Sequence, residues 1–473
     1  MQVVSAYYPI SLDEIHTKIS RKNHRKGRYK KLNFQYALFN NNLPENIKEI
    51  INDFGEKVVQ VDGEIPPDSP VKDNDRFLFI SYDQSIWTHG LHKYPAKFFP
   101  ELPRWLIKRY SKENDMILDP FSGSGTTNIE ALLNRRHSVG IDVDPFSRFL
   151  SKIKTNPLKP EELLTTKKIL IESVIKYHPQ KVSVSDIPAF PYRDNWFKKE
   201  IIDELAYLKK TINNLDASDD VKHFYQICLS SIIRSVSNAD DNCTRTVIRK
   251  KLNKIVEPAD ALKRFTETIL VNVPKTIEFS KICPVDITAT FPENMDARNI
   301  DYPENHFDLA VTSPPYANAV DYPRTHQLEI YWLGIANGSL TPIKRKHIGT
   351  ESVSVDNYKT LHHINIPEAD KVISKIYEKD ERRAFIAYKF LQDMELNLRE
   401  CYRVLKNDGR YILVVGNNKI RGELFENWKY IMLLAEKVGF KIEKYFASEI
   451  IRHFIKVPRE ERINTDWIVV LKK

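Results

Sequence analysis

Cysteine is scarce in this 473-residue chain: Cys228, Cys243, Cys283 and Cys401 stand far apart with no Cys-x-x-Cys pair, which excludes a disulfide framework or a zinc knuckle. No cluster of metal-ligand residues stands out, so no metal is expected, and no Pro-Cys dipeptide offers a covalent nucleophile. Apolar runs are all too short to span a bilayer, and nothing near Met1 reads as a signal peptide. These absences predict a reduced, cytoplasmic protein with no membrane partner. No internal repeat is visible. The length suggests two or three domains, or one large domain with an insertion, with ample chain to bury a core.

What the chain has in excess is positive charge, a formal net of +9. Eight Lys and Arg lie between Lys18 and Lys31, and a second basic set comprises Arg245, Arg249, Lys250, Lys251 and Lys254. Either set alone reads as a solvated face or arm; beside chemistry that acts on nucleic acid, it reads as a source of phosphate contacts.

Residues 1–76 mix that first basic cluster with Asn-rich and Pro-rich stretches and read as an N-terminal basic extension. Residues 77–154 follow strand–helix–strand grammar: a helix near 100–110, a strand at 116–118, a Gly-rich turn, a helix at 127–134 and a strand at 138–143. Residues 155–280 read as helices, too long for an ordinary crossover, and are assigned to a helical insertion. Strand grammar resumes over 281–473, with strands expected at 283–285 and 307–311, and with a largely aperiodic excursion over 334–381. A helix at 383–405 is expected to stop at Asp408-Gly409. The final strands, 441–446 and 467–471, are expected to form an antiparallel hairpin on the sheet edge.

Two motifs carry the chemistry. Asp119-Pro120-Phe121-Ser-Gly123-Ser-Gly125-Thr126-Thr127 joins a strand to a helix; its glycines let backbone approach a ligand, and its hydroxyls suit a helix start. It lacks the Lys of a phosphate-cradling loop, which argues against a nucleoside triphosphate. Asp142 lies 23 residues on, at the end of the next strand, where a carboxylate can meet ribose hydroxyls or simply cap a helix. Thr312-Ser313-Pro314-Pro315-Tyr316 follows the apolar run Phe307 to Val311.

In this order the two motifs resemble those of the S-adenosylmethionine-dependent DNA methyltransferases that modify exocyclic amino groups, the cytosine-N4 type in particular. The resemblance covers about 91–153 and 296–473. It implies a Rossmann-like class I methyltransferase, an α/β fold whose twisted sheet is mostly parallel with a C-terminal antiparallel hairpin, plus the helical insertion. It also implies that Asp119, Pro120, Phe121, Gly123, Gly125 and Thr126 wrap S-adenosyl-L-methionine, that Asp142 holds its ribose and that Asp296 meets its adenine. Tyr94, Lys97 and Phe98, from His92-Lys-Tyr-Pro-Ala-Lys-Phe-Phe, would line the methionine end, although a core role for them is equally compatible with the pattern.

An exocyclic amine is a poor nucleophile because its lone pair is delocalised into the ring. The Ser313 hydroxyl and Pro314 carbonyl can each accept from one N–H and weaken that conjugation, while the two prolines hold the acceptors still. Tyr316 can stack on a base rotated out of the duplex. The implied activity is a site-specific cytosine-N4 DNA methyltransferase of a restriction-modification or related defence system, with double-stranded DNA and a cognate restriction endonuclease as partners. Adenine-N6 methylation, methylation of RNA or protein amides, and nucleic-acid binding without catalysis stay open as alternatives. Arg193, Trp196, Arg324, Lys344 and Arg345 are of suitable type to contact DNA, and the sequence does not choose between the insertion and the excursion as the target-recognition region. Asp321 and His326 are further pocket or helix-cap candidates.

Overall fold

The structure, a computed structural model, describes residues 35–36, 46–52, 55–81, 83–179, 182–249, 251, 254–317, 320–450 and 465–473. The basic cluster between residues 18 and 31 lies outside them. In chain order the strands are β1 (Gln35–Tyr36), β2 (Ile47–Ile51), β3 (Lys57–Asp62), β4 (Arg76–Ile80), β5 (Met116–Asp119), β6 (His137–Gly140), β7 (Ala289–Thr290), β8 (Phe307–Thr312), β9 (Leu405–Gly416), β10 (Asn418–Ile420), β11 (Glu423–Phe425), β12 (Lys441–Glu449) and β13 (Thr465–Lys472).

Eleven strands form one sheet in the order β1-β2-β3-β4-β12-β13-β9-β8-β5-β6-β7, and β10 with β11 makes a separate hairpin. The run from β7 through β6, β5 and β8 to β9 is parallel throughout. β13 lies antiparallel to both β9 and β12. From β5 the chain moves outward to β6 and β7, whereas β8 leads the other way to β9, so strand order reverses between β5 and β8. In an open α/β sheet, that reversal opens a ligand crevice at the carboxyl ends of the strands.

Side-chain alternation assigns each strand's two faces. Ile117, Leu309, Val311, Ile412 and Val414 meet Leu102, Trp105 and Leu106 of the helix Glu101–Tyr110 on one side. Leu118, Ala310, Tyr411, Leu413 and Val415 meet the helices Glu381–Val404 and Asn427–Val438 on the other. Cover on both faces explains why β5 and β8 read as nearly continuous apolar runs. The fold is therefore the Rossmann-like α/β sheet that the motifs imply.

Four helices longer than ten residues, Pro160–Ile175, Lys199–Asn213, Asp219–Ile233 and Asp260–Ile282, build the inserted layer. Their core is continuous with Phe146 and Leu150 of the helix Pro145–Lys154 and with Leu328, Ile330 and Trp332 of the helix Gln327–Leu333. The insertion thus braces both segments that flank the crevice.

Four local expectations are corrected. Residues 47–51 and 57–62, placed within an N-terminal extension, form β2 and β3, whose buried residues split between the two faces, Ile47 with Val61 and Ile50 with Val58, and so show no two-residue alternation. β4 pairs in parallel with β12, so the C-terminal hairpin lies inside the sheet and not at its edge. At 283–285 there is no strand: the preceding helix runs to Ile282, and pairing waits until Ala289 and Thr290 reach β6. Asp408-Gly409 does not stop a helix, because the helix ends at Val404 and Asp408, at φ 63°, sits in a register shift within β9.

Candidate active site

β5 ends on Asp119 and β8 ends on Thr312, side by side at the reversal. The Thr312 hydroxyl donates to Asp119 Oδ1 at 2.6 Å, joining residues 193 apart in sequence. Both side chains are buried. The same carboxylate oxygen accepts the Phe121 N–H at 3.1 Å, which turns the chain into the Gly-rich loop. Burial pushes the Asp119 carboxyl up to about 6, against the pull of the Thr312 and Thr127 hydroxyls.

The loop follows a path that demands glycine twice. Gly123 has φ +49°, and a Cβ there would stand 3.4 Å from the Tyr94 ring; Gly125 has φ +75°, and its Cβ would fall 2.9 Å from Ser151 Oγ. Behind the loop, the fully buried Lys154 donates to the Ser124 carbonyl at 3.1 Å, and the Ser151 hydroxyl donates to the Gly123 carbonyl at 3.0 Å. Pro120 and Phe121 carry the turn, Phe121 packing on the core, and Thr126 opens the helix Thr126–Leu133. Ser122 Oγ is buried with no partner.

Asp142 faces the loop from the end of β6. It accepts the Gly123 N–H at 2.9 Å and the Asp144 N–H at 2.8 Å, one on each oxygen, leaving a lone pair on each for a ligand. Asp144 caps the helix Pro145–Lys154 through Phe146 N–H, so the cap is Asp144 and Asp142 is available to the crevice. The two carboxyls diverge. Burial, reinforced by the Asp144 charge, pushes Asp142 up to about 6. Burial would raise Asp144 as well, but His347 and His326 outweigh it and hold Asp144 below the usual carboxylate range. His347 Nε2 lies 3.7 Å from Asp144 Oδ2, an ion-pair distance too long for a hydrogen bond. Although burial works against a charged imidazole, Asp144 and Asp142 raise the His347 pKa.

The remaining candidates divide. Tyr94 reaches the site: its ring stacks on Tyr322 and His326, each at a centroid distance of 5.2 Å, and its hydroxyl hydrogen-bonds Ser147 at 2.8 Å. Lys97 does not point at the loop; its amine donates to the carbonyls of Gln84 and His89, and burial pushes it down to about 8. Phe98 packs into the core cluster under the helix Glu101–Tyr110. Asp296 lies beyond β7 with its carboxylate gripped by Arg298 at 2.9 and 2.6 Å.

On the loop after β8 Pro314 is buried, whereas Ser313, Pro315 and Tyr316 are half-buried. The Tyr316 hydroxyl donates to Asp466 Oδ1 at 3.1 Å. Beyond it, Asp321 caps the helix Tyr322–Thr325 and pairs with Lys344 at 3.0 Å, while His326 is buried between Tyr94 and Phe146. Arg324 is half-buried and Arg345 exposed, on neighbouring short helices. In the insertion, Arg193 pairs with Asp194, and the Trp196 carbonyl accepts the Asn238 N–H; Phe190, just upstream, stacks on Tyr331 at 4.9 Å. Loops of the insertion and of the excursion therefore both pack around residues 321–333, directly after the loop that follows β8.

Sequence reasoning missed Thr312, Lys154, Tyr322 and Asp466. A hydroxyl ending a buried apolar strand was the one available signal, for Thr312. The others depend on contacts across distant segments. Among the described residues no group of three or more metal-ligating side chains exists, and no helix is long and apolar enough to cross a membrane.

Comparison with known proteins gives the same lineage. The N6/N4 family described as DNA methylase matches residues 7–148, which include the Gly-rich loop. The Type II methyltransferase M.MvaI of Kocuria varians is 29% identical over 384 residues, covering 74% of this chain and 82% of that one. M.BsoBI of Geobacillus stearothermophilus is 25% identical over 416 residues, covering 77% of this chain and 80% of that one. A SAM-dependent methyltransferase structure from Methanosarcina mazei overlaps 81% of this chain and 98% of its own at 10% identity, with a TM-score of 0.28, and the fold assignment rests on strand order instead. The chain is thus similar to N6/N4-type DNA methylases over residues 7–148 and to Type II methyltransferases over about three quarters of its length.

Proposed function

We propose that this protein is a site-specific DNA methyltransferase that uses S-adenosyl-L-methionine to methylate the exocyclic N4 of cytosine in double-stranded DNA, as the modifying partner of a restriction endonuclease. The observation that carries the site assignment is the Thr312–Asp119 hydrogen bond, which fastens the Gly-rich loop to the Ser313-Pro314-Pro315-Tyr316 loop. The association with restriction is taken from the Type II relatives.

The crevice fits that cofactor. Orphaned Ser122 Oγ and the close backbone at Gly123 and Gly125 suit a polar amino-acid tail, Asp142 has two free lone pairs for a ribose diol, and Tyr94 supplies an aromatic wall. Asp296, already shared with Arg298, would meet an adenine amino group with its remaining lone pairs. When bound, S-adenosyl-L-methionine supplies an activated sulfonium methyl. The chain's own work is to orient the amine: Ser313 Oγ and the Pro314 carbonyl each accept one amine N–H, drawing the nitrogen toward a pyramidal, nucleophilic geometry. Tyr316 covers the face of the extrahelical base. Arg324, Lys344 and Arg345, together with Arg193 and Trp196 of the insertion, are of suitable type for phosphate and base contact. Ser at position 313, where adenine enzymes more usually carry Asp or Asn, supports cytosine as the target base.

The test is to incubate the protein with methyl-labelled cofactor and double-stranded DNA, then digest the DNA for nucleoside mass spectrometry. N4-methylcytosine is the expected product, and Ser313→Ala should abolish it while cofactor binding persists. N6-methyladenine as the only product would overturn the base assignment; label incorporated only into RNA or protein would overturn the substrate class.

A further inference from the structure

Among described contacts, the far end of the Tyr316 side chain is fixed by a residue 150 positions later in the chain. Asp466 is the second residue of β13, where it stands opposite Gly416 in the antiparallel ladder with β9. Its Oδ1 accepts the Tyr316 hydroxyl at 3.1 Å. The Tyr316 ring edge lies against Gly416: a Cβ added there would fall 2.8 Å from Asp466 Oδ1, 2.9 Å from Tyr316 Cε2 and 3.1 Å from Cζ. Gly416 is itself pinned, since Asn427 Nδ2 donates to its carbonyl at 2.7 Å. A central, ladder-held strand pair thus forms a seat of one shape, with bare backbone under the ring and a carboxylate at its hydroxyl. Hydrogen bonds to an ionised acceptor are about twice as strong as neutral ones. Burial, together with the neighbouring Asp466 charge, raises the Tyr316 pKa well above its ordinary value, so the hydroxyl remains a donor.

We propose that Asp466 is a positioning residue for methyl transfer: by holding the Tyr316 hydroxyl it sets the angle at which that ring meets the target base. The proposal rests on the methyltransferase reading above. It gives the C-terminal strand pair a specific task, because the aromatic platform of the catalytic loop is aligned by β13 and β9 rather than by the loop's own prolines. Asparagine at 466 keeps an acceptor oxygen in the same place, whereas alanine removes it.

Two readouts test it in the full-length chain. In single-turnover methyl transfer with enzyme in excess, Asp466→Ala should slow the chemical step roughly tenfold, about the worth of one hydrogen bond to a charged group, with cofactor affinity unchanged. Asp466→Asn should retain most of the rate. Tyr316→Phe should match Asp466→Ala, and the double variant should be no slower than either single one. Separately, with 3-fluorotyrosine incorporated at 316, the fluorine resonance should move in Asp466→Ala and stay near its original position in Asp466→Asn. A folded Asp466→Ala protein that transfers methyl at the original rate, losses that add in the double variant, or a resonance indifferent to Asp466→Ala would each overturn the proposal. If the unaltered chain methylates no DNA, the enzymatic reading falls and with it the catalytic role of Asp466; the fluorine resonance then reports only whether the hydrogen bond exists.

Discussion

At the scale of single residues, Thr312 is the hinge pin of the site although it belongs to neither motif's chemistry. Valine has nearly the same shape and no hydroxyl, so Thr312→Val leaves the buried Asp119 carboxyl short of a partner. The expected loss is about 1–3 kcal/mol of stability, read by chemical denaturation, with weakened cofactor binding by calorimetry. Thr312→Ser should preserve both. His326 poses the opposite case: both its ring nitrogens are buried without partners, among Tyr94, Phe146 and His92. Burial above all, then the charge of His92, pushes its pKa from 6.5 down to about 3, and that of His92, again chiefly by burial, is about 4. A His kept neutral in the fold gives stability that is intact above pH 6.5 and is lost as pH falls toward those folded values. Asp119 and Asp142, raised to about 6, act in the other direction, losing stability as pH rises through that value. The difference between the wild type and His326→Phe therefore isolates the imidazole. The variant should gain relative to the wild type, by about 1 kcal/mol or more, between urea melts at pH 7.5 and at pH 5, since a tenfold difference in proton affinity between the folded and unfolded chain corresponds to about 1.4 kcal/mol.

At the scale of elements, the strands around the crevice were legible because burial on both faces writes itself as a short apolar run, as in Met116 to Leu118 and Phe307 to Val311. The long helices were legible from their periodicity. β2 and β3 were hidden because their buried residues, Ile47, Ile50, Val58 and Val61, stand three apart on opposite faces with charged residues between them, and β12 looked like an edge because its parallel neighbour β4 lies about 371 residues earlier. Within the site, the loops could be read but their aims could not. The sequence places Lys97 three residues from Tyr94, yet one amine turns to backbone carbonyls while the ring beside it lines the crevice. One packing constraint belongs to this scale: Gly140 at the end of β6 faces Phe291, and a Cβ there would lie 2.4 Å from that ring and 2.9 Å from Asn128 Oδ1. Gly140→Ala should cost about 1–3 kcal/mol through overpacking, seen as a lower melting temperature, and should weaken cofactor binding by displacing the segment that leads to Asp296.

At the scale of the whole molecule, insertion and excursion are not appendages. Helices of the insertion share one core with the helix behind the Gly-rich loop and with the helix Gln327–Leu333, and Arg245 of the insertion lies 3.6 Å from Glu351 of the excursion. Neither region alone was identifiable as the target-recognition element, because the two meet over residues 321–333: Thr246 donates to the Thr325 carbonyl at 2.8 Å.

The order of strands also fixes when the site can assemble. A ribosome releases Asp119 early, but β5 gains its neighbour β8 only after the whole helical insertion has been synthesised, and Tyr316 finds its seat only when Asp466 emerges, 150 residues after it. Pairings this remote are slow to form. A product ending before β13 would display every diagnostic motif and still lack the strand that seats the Tyr316 ring.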